Sequence, residues 1–319
     1  MPNSLRSTPE LPPSSVTVTD EGGSSGVLRK ELSILPPGDI RNCIVALAEE
    51  ELLVSRLFDY RFGHETAFRG HSLGNLLLAA LSDLTGGFEQ AILAASEVLA
   101  VRGEIYPSTL ADVRLRALCT DGSVLVGETA ISGDHFVGAP VPQHAPIDRL
   151  SIEPADVQPV DRALEAIGAA DLIVIGPGSL YTSILPNLVI PALGEAIRKA
   201  RALRVYICNV MTQPGETDGY SAEDHLRAIV EHAGLVADVM LMNGRRPSEA
   251  ILAAYAARDQ HPVRVDPDAV RELGAHPFFA DVVAEGNFVR HDEGALAETL
   301  FRIWDTFGRR LQRIRKGEG

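Results

Sequence analysis

Two short segments of the chain combine glycine with serine in a way that could hold an anionic ligand. Residues 20–26 read DEGGSSG, and residues 176–179 read GPGS. Glycine lets the backbone adopt positive φ and approach a ligand closely, and consecutive N–H groups with serine hydroxyls can surround an anion. A flexible turn with a capping serine is the simpler explanation of the first segment taken alone. The candidate ligand-binding residues are Gly22, Gly23, Ser24 and Ser25 in the first segment, and Gly178 and Ser179 in the second.

Polar residues at two expected helix starts could complete such a site. Asp39, Arg41 and Asn42 follow the sequence PPG, and Asn75 follows HSLG. Asp39 is a natural N-cap for its helix. Arg41 in a first helical turn opposes the helix macrodipole, so we expect a carboxylate or an anionic ligand beside it. Asn75 either takes part in capping its helix or reads a base or a sugar with its amide.

Metal ligation has less support from the residues. Asp20 and Glu21 are adjacent carboxylates that could bind Mg²⁺ through oxygen. Solvated loop charges are the simpler explanation, and only Asp20 is kept as a metal candidate. The histidines at 64, 71 and 135 have no acidic or cysteine partner at a metal-binding spacing, and the three cysteines are widely separated without a CxxC. No zinc site and no disulfide are therefore expected.

Composition disfavours several classes of function. The 319 residues carry 29 basic and 43 acidic side chains, a net charge of −14, which disfavours a surface for nucleic acid. The chain is 45% hydrophobic, but no stretch approaches the roughly 18 apolar residues of a membrane span, so no membrane insertion is expected. The first residues, MPNSLRSTPELPPSS, lack the apolar core of a signal peptide, and we expect a cytoplasmic protein.

The expected secondary structure places the polar segments at strand ends. A short strand at 16–19 precedes the first glycine-serine segment. From residue 147 onward, strands alternate with helices, and three of these strands end near Ile175, Cys208 and Met242. This alternation predicts an α/β fold, Rossmann-like and doubly wound, with a mostly parallel sheet, helices on both faces and a small β-hairpin appendage at 113–126. Ligands of open α/β sheets bind beyond the carboxyl ends of the strands, so four strand ends are expected to share one cleft.

The domain organisation follows from the same pattern. Residues 1–15 are rich in proline and serine and are expected to form a disordered tail. Residues 16–308 are expected to form a single domain, and a basic tail at 309–319 follows it. A strand is expected at 262–265, and the last helix is expected at 294–307.

Five motifs together resemble the gluconeogenesis factor family, within the 2-phospho-L-lactate transferase (CofD-like) superfamily. The resemblance extends from about Val16 to Phe307, and the continuation IRN and the run LYTSILPNL point to the gluconeogenesis-factor branch. The motifs are DEGGSSG at 20–26, PPGDIRN at 36–42, GHSLGNLLLAAL at 70–81, IGPGSLYTSILPNL at 175–188 and NVMTQPGET at 209–217.

The resemblance implies a non-catalytic regulator that binds a UDP-sugar, such as UDP-N-acetylglucosamine, and supports growth and cell morphogenesis on gluconeogenic carbon sources. No cofactor is certain under this interpretation. Tyr255 and Arg290 resemble positions tied to UDP-sugar binding, although a helix-surface tyrosine and a solvated arginine are the simpler explanations. The residues that the resemblance places in the cleft are Asp20, Gly22, Gly23, Ser24, Asp39, Asn42, Asn75, Gly178, Ser179 and Asn209.

Two other interpretations stay open. The superfamily's transferase branch moves a phospholactyl group from a guanylyl-activated donor with Mg²⁺, which would make this chain an enzyme. The family pattern also begins with a strand, a GGGTG-type loop and a helix, whereas 15 residues precede Val16 here and Glu21 replaces the second aspartate. Either the start of this sequence is set too late or the first unit is missing, and in the second case a lower affinity for the diphosphate is expected. A scaffold protein, with a homodimer at an exposed sheet edge, is the third interpretation.

Overall fold

The computed structural model describes residues 13–48, 53–63, 68–133, 142–285 and 289–308. The chain divides into two compact units. The first unit extends to Arg114 and includes Val157–Ala163, and the second contains Leu115–Asp156 and the chain from Leu164 onward. The single domain at 16–308 stays a prediction. Most of the expected N-terminal tail and all of the basic tail at 309–319 lie outside the described residues.

Among its described residues, the first unit contains a small parallel sheet and five helices. Strand β1 (Ser14–Val16) pairs with β2 (Ile105–Pro107), with Val16 opposite Pro107. The apolar faces of the helices supply most of the core. The helices are α1 (Gly23–Leu32), α2 (Gly38–Leu47), α3 (Leu53–Asp59), α4 (Leu73–Thr85) and α5 (Phe88–Val98).

Two expectations for the beginning of the chain are wrong. The first strand ends at Val16 instead of beginning there, and the GGSSG segment opens helix α1 instead of forming a loop. Glycine has a low helix propensity, so the sequence alone favoured a turn. Tertiary packing overrides that preference, because Leu28 and Arg29 of α1 are buried and hold the helix against its neighbours.

A four-stranded parallel sheet forms the centre of the second unit, in the order β6 (Leu172–Ile175), β7 (Leu203–Ile207), β8 (Val239–Asn243) and β9 (His276–Ala280). Helix α7 (Asp161–Ala169) precedes β6, and its residues up to Ala163 belong to the first unit. The helices that connect or follow the four strands are α8 (Leu185–Leu188), α9 (Pro191–Lys199), α10 (Ala222–Ala233), α11 (Glu249–Ala256), α12 (Pro267–Glu272) and α13 (Glu293–Ile303). One-turn π-helices precede α8 at Leu180–Ile184 and follow α13 at Trp304–Gly308.

Two smaller sheets complete the second unit. Strands β3 (Arg114–Cys119) and β4 (Val124–Val126) form the expected antiparallel hairpin around the turn at Asp121 and Gly122, and β5 (Ile147–Glu153) joins β3 to make three strands. Helix α6 (Glu128–Ser132) follows β4, and β10 (Val283–Glu285) pairs antiparallel with β11 (Val289–His291).

The expected fold class is confirmed as a mixed α/β protein with a parallel sheet flanked by helices. Alternate residues of β7, namely Leu203, Val205 and Ile207, are at most 1% exposed and pack in one cluster with Val239 and Leu241 of β8. Tyr206 and Met240, which lie between these residues and point to the opposite face, are 0% exposed, and such continuous buried runs are typical of parallel strands that are covered on both faces.

Three strand assignments differ from the sequence-based expectation. The strand expected at 262–265 is wrong, because Pro262 and Arg264 form only isolated bridges. The fourth strand of the parallel sheet is β9 instead. Its sequence HPFFA contains a proline and an exposed Phe279, so it lacks the apolar pattern of a buried strand. Strand β5 belongs to the hairpin sheet, not to the parallel sheet, and β1 pairs with β2.

No single helix among the described residues is long and apolar enough to cross a membrane. Two bent helix pairs reach that length and composition when each pair is taken together: α4 with α5, bent by 118°, and Leu180–Leu188 with α9, bent by 78°.

Candidate functional site

The N-termini of three helices meet around two adjacent serines in the first unit. Ser24 Oγ accepts a hydrogen bond from the backbone N–H of Ser72, the residue that precedes α4 (3.3 Å). Ser25 Oγ accepts a hydrogen bond from Asn75 Nδ2 in the first turn of α4 (3.2 Å). A β-carbon on Gly38, the first residue of α2, would lie only 2.6 Å from Ser25 Oγ. We call Asp20, Gly22–Ser25, Gly38, Ser72 and Asn75 the helix-end cluster.

The helix-end cluster combines three helix N-termini with the carboxylate of Asp20. Helices α1, α2 and α4 contain 10, 10 and 13 residues, and none of the three has a side-chain hydrogen bond at its N-cap. Each helix N-terminus carries the equivalent of about half a positive charge, and three such ends in a nearly dry environment favour an anion. Ser24, Ser25 and Asn75 are at most 4% exposed, so water screens this potential weakly.

Asn75 is the residue of this cluster with an unsatisfied polar atom. Its Nδ2 donates to Ser25, whereas its buried Oδ1 has no hydrogen-bond partner among the described residues. Of the two roles considered for this residue, capping is not seen, because its amide bonds to a neighbouring helix. A buried amide oxygen without a partner is costly, so Asn75 is a candidate ligand contact.

The two adjacent carboxylates have different surroundings. Asp20 Oδ1 accepts the backbone N–H of Gly22 (2.8 Å), and its other oxygen lies against Gly38. Glu21 Oε1 lies 3.5 Å from Arg29 Nη1 and 3.5 Å from Arg114 Nε, so it is held by two guanidinium groups. Within the described ranges, no group of three or more His, Cys, Asp or Glu residues could hold a metal. The cluster contains one carboxylate, Asp20, and its role as a metal ligand stays a prediction.

The polar residues of α2 lie in three different environments. The expectation that Arg41 has a carboxylate beside it is confirmed, because Arg41 Nη1 lies 3.1 Å from Asp59 Oδ1 of α3. Its Nη2 donates to Asn42 Oδ1 (2.5 Å), and Asn42 is exposed. The expectation that Asp39 is the N-cap of α2 is wrong, because Pro37 occupies that position and Asp39 lies inside the first turn.

The thiol of Cys43, also in α2, is not a ready nucleophile. Burial, with the nearby charge of Asp39, raises the pKa of the Cys43 thiol to about 11.

Three strand ends of the second unit share one edge of the parallel sheet, as expected. The GPGS segment follows β6, Asn209 lies just beyond β7, and Asn243 ends β8. The fourth segment expected at this edge, DEGGSSG, belongs to the first unit, because β1 is not part of the parallel sheet. The structure thus brings Gly178, Ser179 and Asn209 to one sheet edge of the second unit, and the segment DEGGSSG contributes to the helix-end cluster of the first unit.

Behind Ser179 lies a series of hydrogen bonds that ends on a buried carboxylate. Ser179 Oγ donates to Gln213 Oε1 (2.7 Å), and Gln213 Nε2 donates to Glu216 Oε1 (2.7 Å). Glu216 is 4% exposed and also accepts from Thr182 Oγ1 (3.0 Å) and from the backbone N–H of Tyr181 (3.0 Å). We call Ser179, Gln213 and Glu216 the serine relay. Sequence reasoning missed Gln213 and Glu216, although the motif NVMTQPGET contains both.

Tyr255 and Arg290 lie close together although 35 positions separate them in the sequence. The Tyr255 hydroxyl, on α11, accepts the backbone N–H of Val289 (2.9 Å), the residue before Arg290 on β11. Arg290 is exposed and lies opposite Ala284 in the hairpin. The tyrosine therefore anchors the strand that presents the arginine, and its predicted ligand contact stays a prediction.

One histidine of the second unit, His225, is fully buried. His225, in α10, is 0% exposed and bonds through Nδ1 to Ser221 O (2.8 Å), while Nε2 has no partner among the described residues. Burial lowers the pKa of His225 below its ordinary value, and burial likewise lowers the pKa of His232 and His291. These side chains are stable inside the fold in their neutral form.

We expect the free energy of unfolding to fall as the pH falls below about 6.5, the ordinary histidine pKa. Because the folded-state pKa of His225 is lowered, the unfolded state binds more protons in this range, and the contribution is fully present only above it. Urea unfolding at a series of pH values measures the effect. His225→Gln is expected to show a smaller decrease, whereas the exposed control His261→Gln keeps the full decrease. Equal decreases in both variants would contradict this assignment.

Comparison with known proteins gives consistent matches over most of the chain. Residues 14–283 match the family model described as 2-phospho-L-lactate transferase CofD. A putative gluconeogenesis factor of Nostoc sp. is 47% identical over 293 residues, which cover 90% of this chain and 62% of that relative, less than two thirds of its length. The gluconeogenesis factors of Halalkalibacterium halodurans and Bacillus subtilis are 45% and 44% identical, and the matches cover 86% and 88% of their lengths and 89% of this chain in each case.

Solved structures support the same relationship. A crystal structure of a member of the UPF0052 family from Bacillus halodurans aligns with a TM-score of 0.84 at 45% sequence identity. The alignment covers 91% of this chain and 90% of that chain. A second crystal structure of the Bacillus halodurans protein gives a TM-score of 0.85 at 44% identity.

Proposed function

Because this chain belongs to the gluconeogenesis factor family, within the CofD-like superfamily, we propose that it binds a nucleotide sugar of the UDP-N-acetylglucosamine type. We propose further that it acts as a cytoplasmic regulator of growth and cell shape on gluconeogenic carbon sources and not as an enzyme. Nucleic acid is not among its proposed partners, since 43 acidic side chains face 29 basic ones.

The helix-end cluster is the observation that carries this proposal. The phosphate groups of a nucleotide sugar are anions, and the dipoles of three helix N-termini favour negative charge at this cluster. Gly22 and Gly23 leave the start of α1 without side chains, so an anion can approach the backbone closely. Gly178, Ser179, Asn209, Tyr255 and Arg290 are proposed as further ligand contacts.

The regulatory role is supported by the state of Glu21. A transferase that uses Mg²⁺ needs well-placed oxygen ligands, and the second carboxylate of the DEGGSSG segment forms ion pairs with Arg29 and Arg114 instead. A binding protein needs only an anion site, and we propose that the helix-end cluster is that site.

Calorimetric titration with UDP-N-acetylglucosamine, with and without Mg²⁺, tests the proposal. We expect micromolar affinity without the metal. Gly22→Val places a side chain at the start of α1, where φ is −83° and a β-carbon has room beside Asp20. This variant is expected to weaken binding at least about tenfold, a loss of about 1.4 kcal/mol, because the side chain blocks approach to the helix.

Gly87→Val is the matched control, because Gly87 precedes α5 of the same unit in the same way, at an N-terminus outside the helix-end cluster. It is expected to leave the affinity unchanged. Wild-type protein that releases no heat with the nucleotide sugar, or equal losses in the two variants, would be evidence against the proposed site.

The match to the CofD family model favours a second candidate function, transfer of a phospholactyl group with Mg²⁺. Incubation of the chain with a guanylyl-activated phospholactate donor, a deazaflavin acceptor and Mg²⁺ tests it directly. Formation of the phospholactyl product would make this chain an enzyme and would displace the regulatory proposal.

A further inference from the structure

The serine relay fixes the direction in which the Ser179 hydroxyl donates. A carboxylate is an acceptor only, so the Gln213 amide must turn its Nε2 toward Glu216 (2.7 Å). The carbonyl oxygen of the same amide then faces Ser179, and a carbonyl oxygen also accepts only. The hydroxyl proton of Ser179 therefore lies on the 2.7 Å bond to Gln213 Oε1. Most serine hydroxyls can either donate or accept a hydrogen bond. The Ser179 hydroxyl donates its proton to Gln213 and can only accept from other groups.

Glu216 holds this arrangement in place. Two further donors point at its carboxylate, Thr182 Oγ1 and the backbone N–H of Tyr181, each at 3.0 Å. With Gln213 Nε2, three donors therefore surround one buried carboxyl group, whose oxygens accept all three hydrogen bonds. Reversal of the amide would put a carbonyl oxygen against that carboxylate, which is strongly unfavourable.

Ser179 remains accessible at the end of β6. It is half-buried, whereas the next residue, Leu180, is fully buried. The Ser179 hydroxyl can therefore accept a hydrogen bond from a ligand through its lone pairs, because its single proton is donated to Gln213.

We infer that Ser179 is a specificity-determining hydrogen-bond acceptor for a neutral donor of the ligand, a hydroxyl or an N–H, and that Gln213 and Glu216 are positioning residues that impose this polarity. A glycine-rich segment after a parallel strand is ordinarily a candidate phosphate site. The relay excludes that role for the Ser179 hydroxyl, because a phosphate oxygen would meet only lone pairs. In a nucleotide sugar, suitable donors are the sugar or ribose hydroxyls and the N–H groups of the base or an acetamido substituent. The inference rests on the proposed function for its ligand.

The first test compares three probes on wild-type protein and Ser179→Ala: UDP-N-acetylglucosamine, UDP and inorganic pyrophosphate. Ser179→Ala is expected to weaken UDP-N-acetylglucosamine about tenfold, because the ligand donor loses its acceptor in a partly dry site. Pyrophosphate binding is expected to stay within about twofold of wild type. UDP affinity distinguishes the source of the donor: it falls in parallel if the donor is on the nucleoside and stays constant if the donor is on the sugar.

Ser183→Ala is the matched control, because Ser183 lies in the π-helical turn that follows Ser179 and is outside the relay. It is expected to bind all three probes as wild type does. An unchanged affinity of Ser179→Ala for the nucleotide sugar, or an equal loss for pyrophosphate, would overturn the inference. Wild-type protein that binds no nucleotide sugar would overturn the proposed function as well, so the two failures are distinguishable.

The second test examines whether Glu216 acts through Ser179. In Glu216→Gln the accepting group becomes an amide, which allows the Gln213 amide to turn and release the Ser179 proton. We expect this variant to weaken the nucleotide sugar several-fold, and the double variant Ser179→Ala/Glu216→Gln to bind it no more weakly than Ser179→Ala alone. Additive losses in the double variant would show that Glu216 has only a general structural role and would remove it from the inference.

Discussion

Replacement of Asn75 by aspartate is expected to weaken binding of UDP-N-acetylglucosamine by about 100-fold while the fold stays intact. The exchange is isosteric, and the new carboxylate would lie at the third position of α4, where a negative charge interacts favourably with the helix dipole. The same charge would lie inside the helix-end cluster, against the ligand phosphates. Two like charges about 4 Å apart repel by about 4 kcal/mol at an effective dielectric constant of about 20, and 100-fold corresponds to about 2.7 kcal/mol.

Calorimetry gives the affinity of this variant, and urea unfolding gives its stability. Gln90→Glu is the matched control, since Gln90 occupies the corresponding third position of α5, which starts after Gly87 in the same unit. This control is expected to bind normally. If both variants bound equally well, the phosphates could not lie at the helix-end cluster.

Gly26→Ala is expected to lower the free energy of unfolding by about 3 kcal/mol, near the upper end of what overpacking costs. Gly26 is buried in α1, and a β-carbon there would overlap the carbonyl oxygen of Glu21. Backbone cannot move aside as the end of a flexible side chain can, so α1 would shift away from the segment that precedes it. Because α1 opens the helix-end cluster, ligand binding is expected to fall together with stability.

The opposite sign is expected for the same exchange at Gly168. Gly168 is exposed in α7. Apart from its two chain neighbours and the nearby backbone of its own helix, no atom lies within 4 Å of the position that a β-carbon would occupy. Alanine in a helix is favoured over glycine by roughly 0.5–1 kcal/mol, so Gly168→Ala is expected to be slightly stabilising. Urea unfolding of Gly26→Ala and Gly168→Ala compares the free-energy cost of a steric overlap with the free-energy gain from a higher helix propensity. Similar effects in both would contradict the packing described for α1.

Elements with strong local signals could be predicted from the sequence. The apolar runs of β6, β7 and β8, the hairpin around Asp121 and Gly122, and the helices between the strands need only local hydrophobic periodicity and turn chemistry. The expected carboxylate beside Arg41 also followed from local physics, because an arginine in a first helical turn needs a partner.

Other features depended on residues far apart in the chain. The sequence could not show that DEGGSSG opens a helix, because the glycines favour a turn until buried Leu28 and Arg29 hold α1 in place. Strand β9 could not be predicted for a similar reason. Its proline and exposed phenylalanine do not favour a strand locally, and pairing with β8 decides its conformation.

The sequence by itself determined the fold class, the family and the identity of the polar segments, since these depend on composition, periodicity and motif order. Only the tertiary structure decided which of those segments lie together. It gathered Ser24, Ser25 and Asn75 with three helix N-termini, and it joined Ser179 through Gln213 to Glu216. The physical reason is that hydrogen-bond partners and buried charges are set by packing between distant segments, and local periodicity carries no information about that packing.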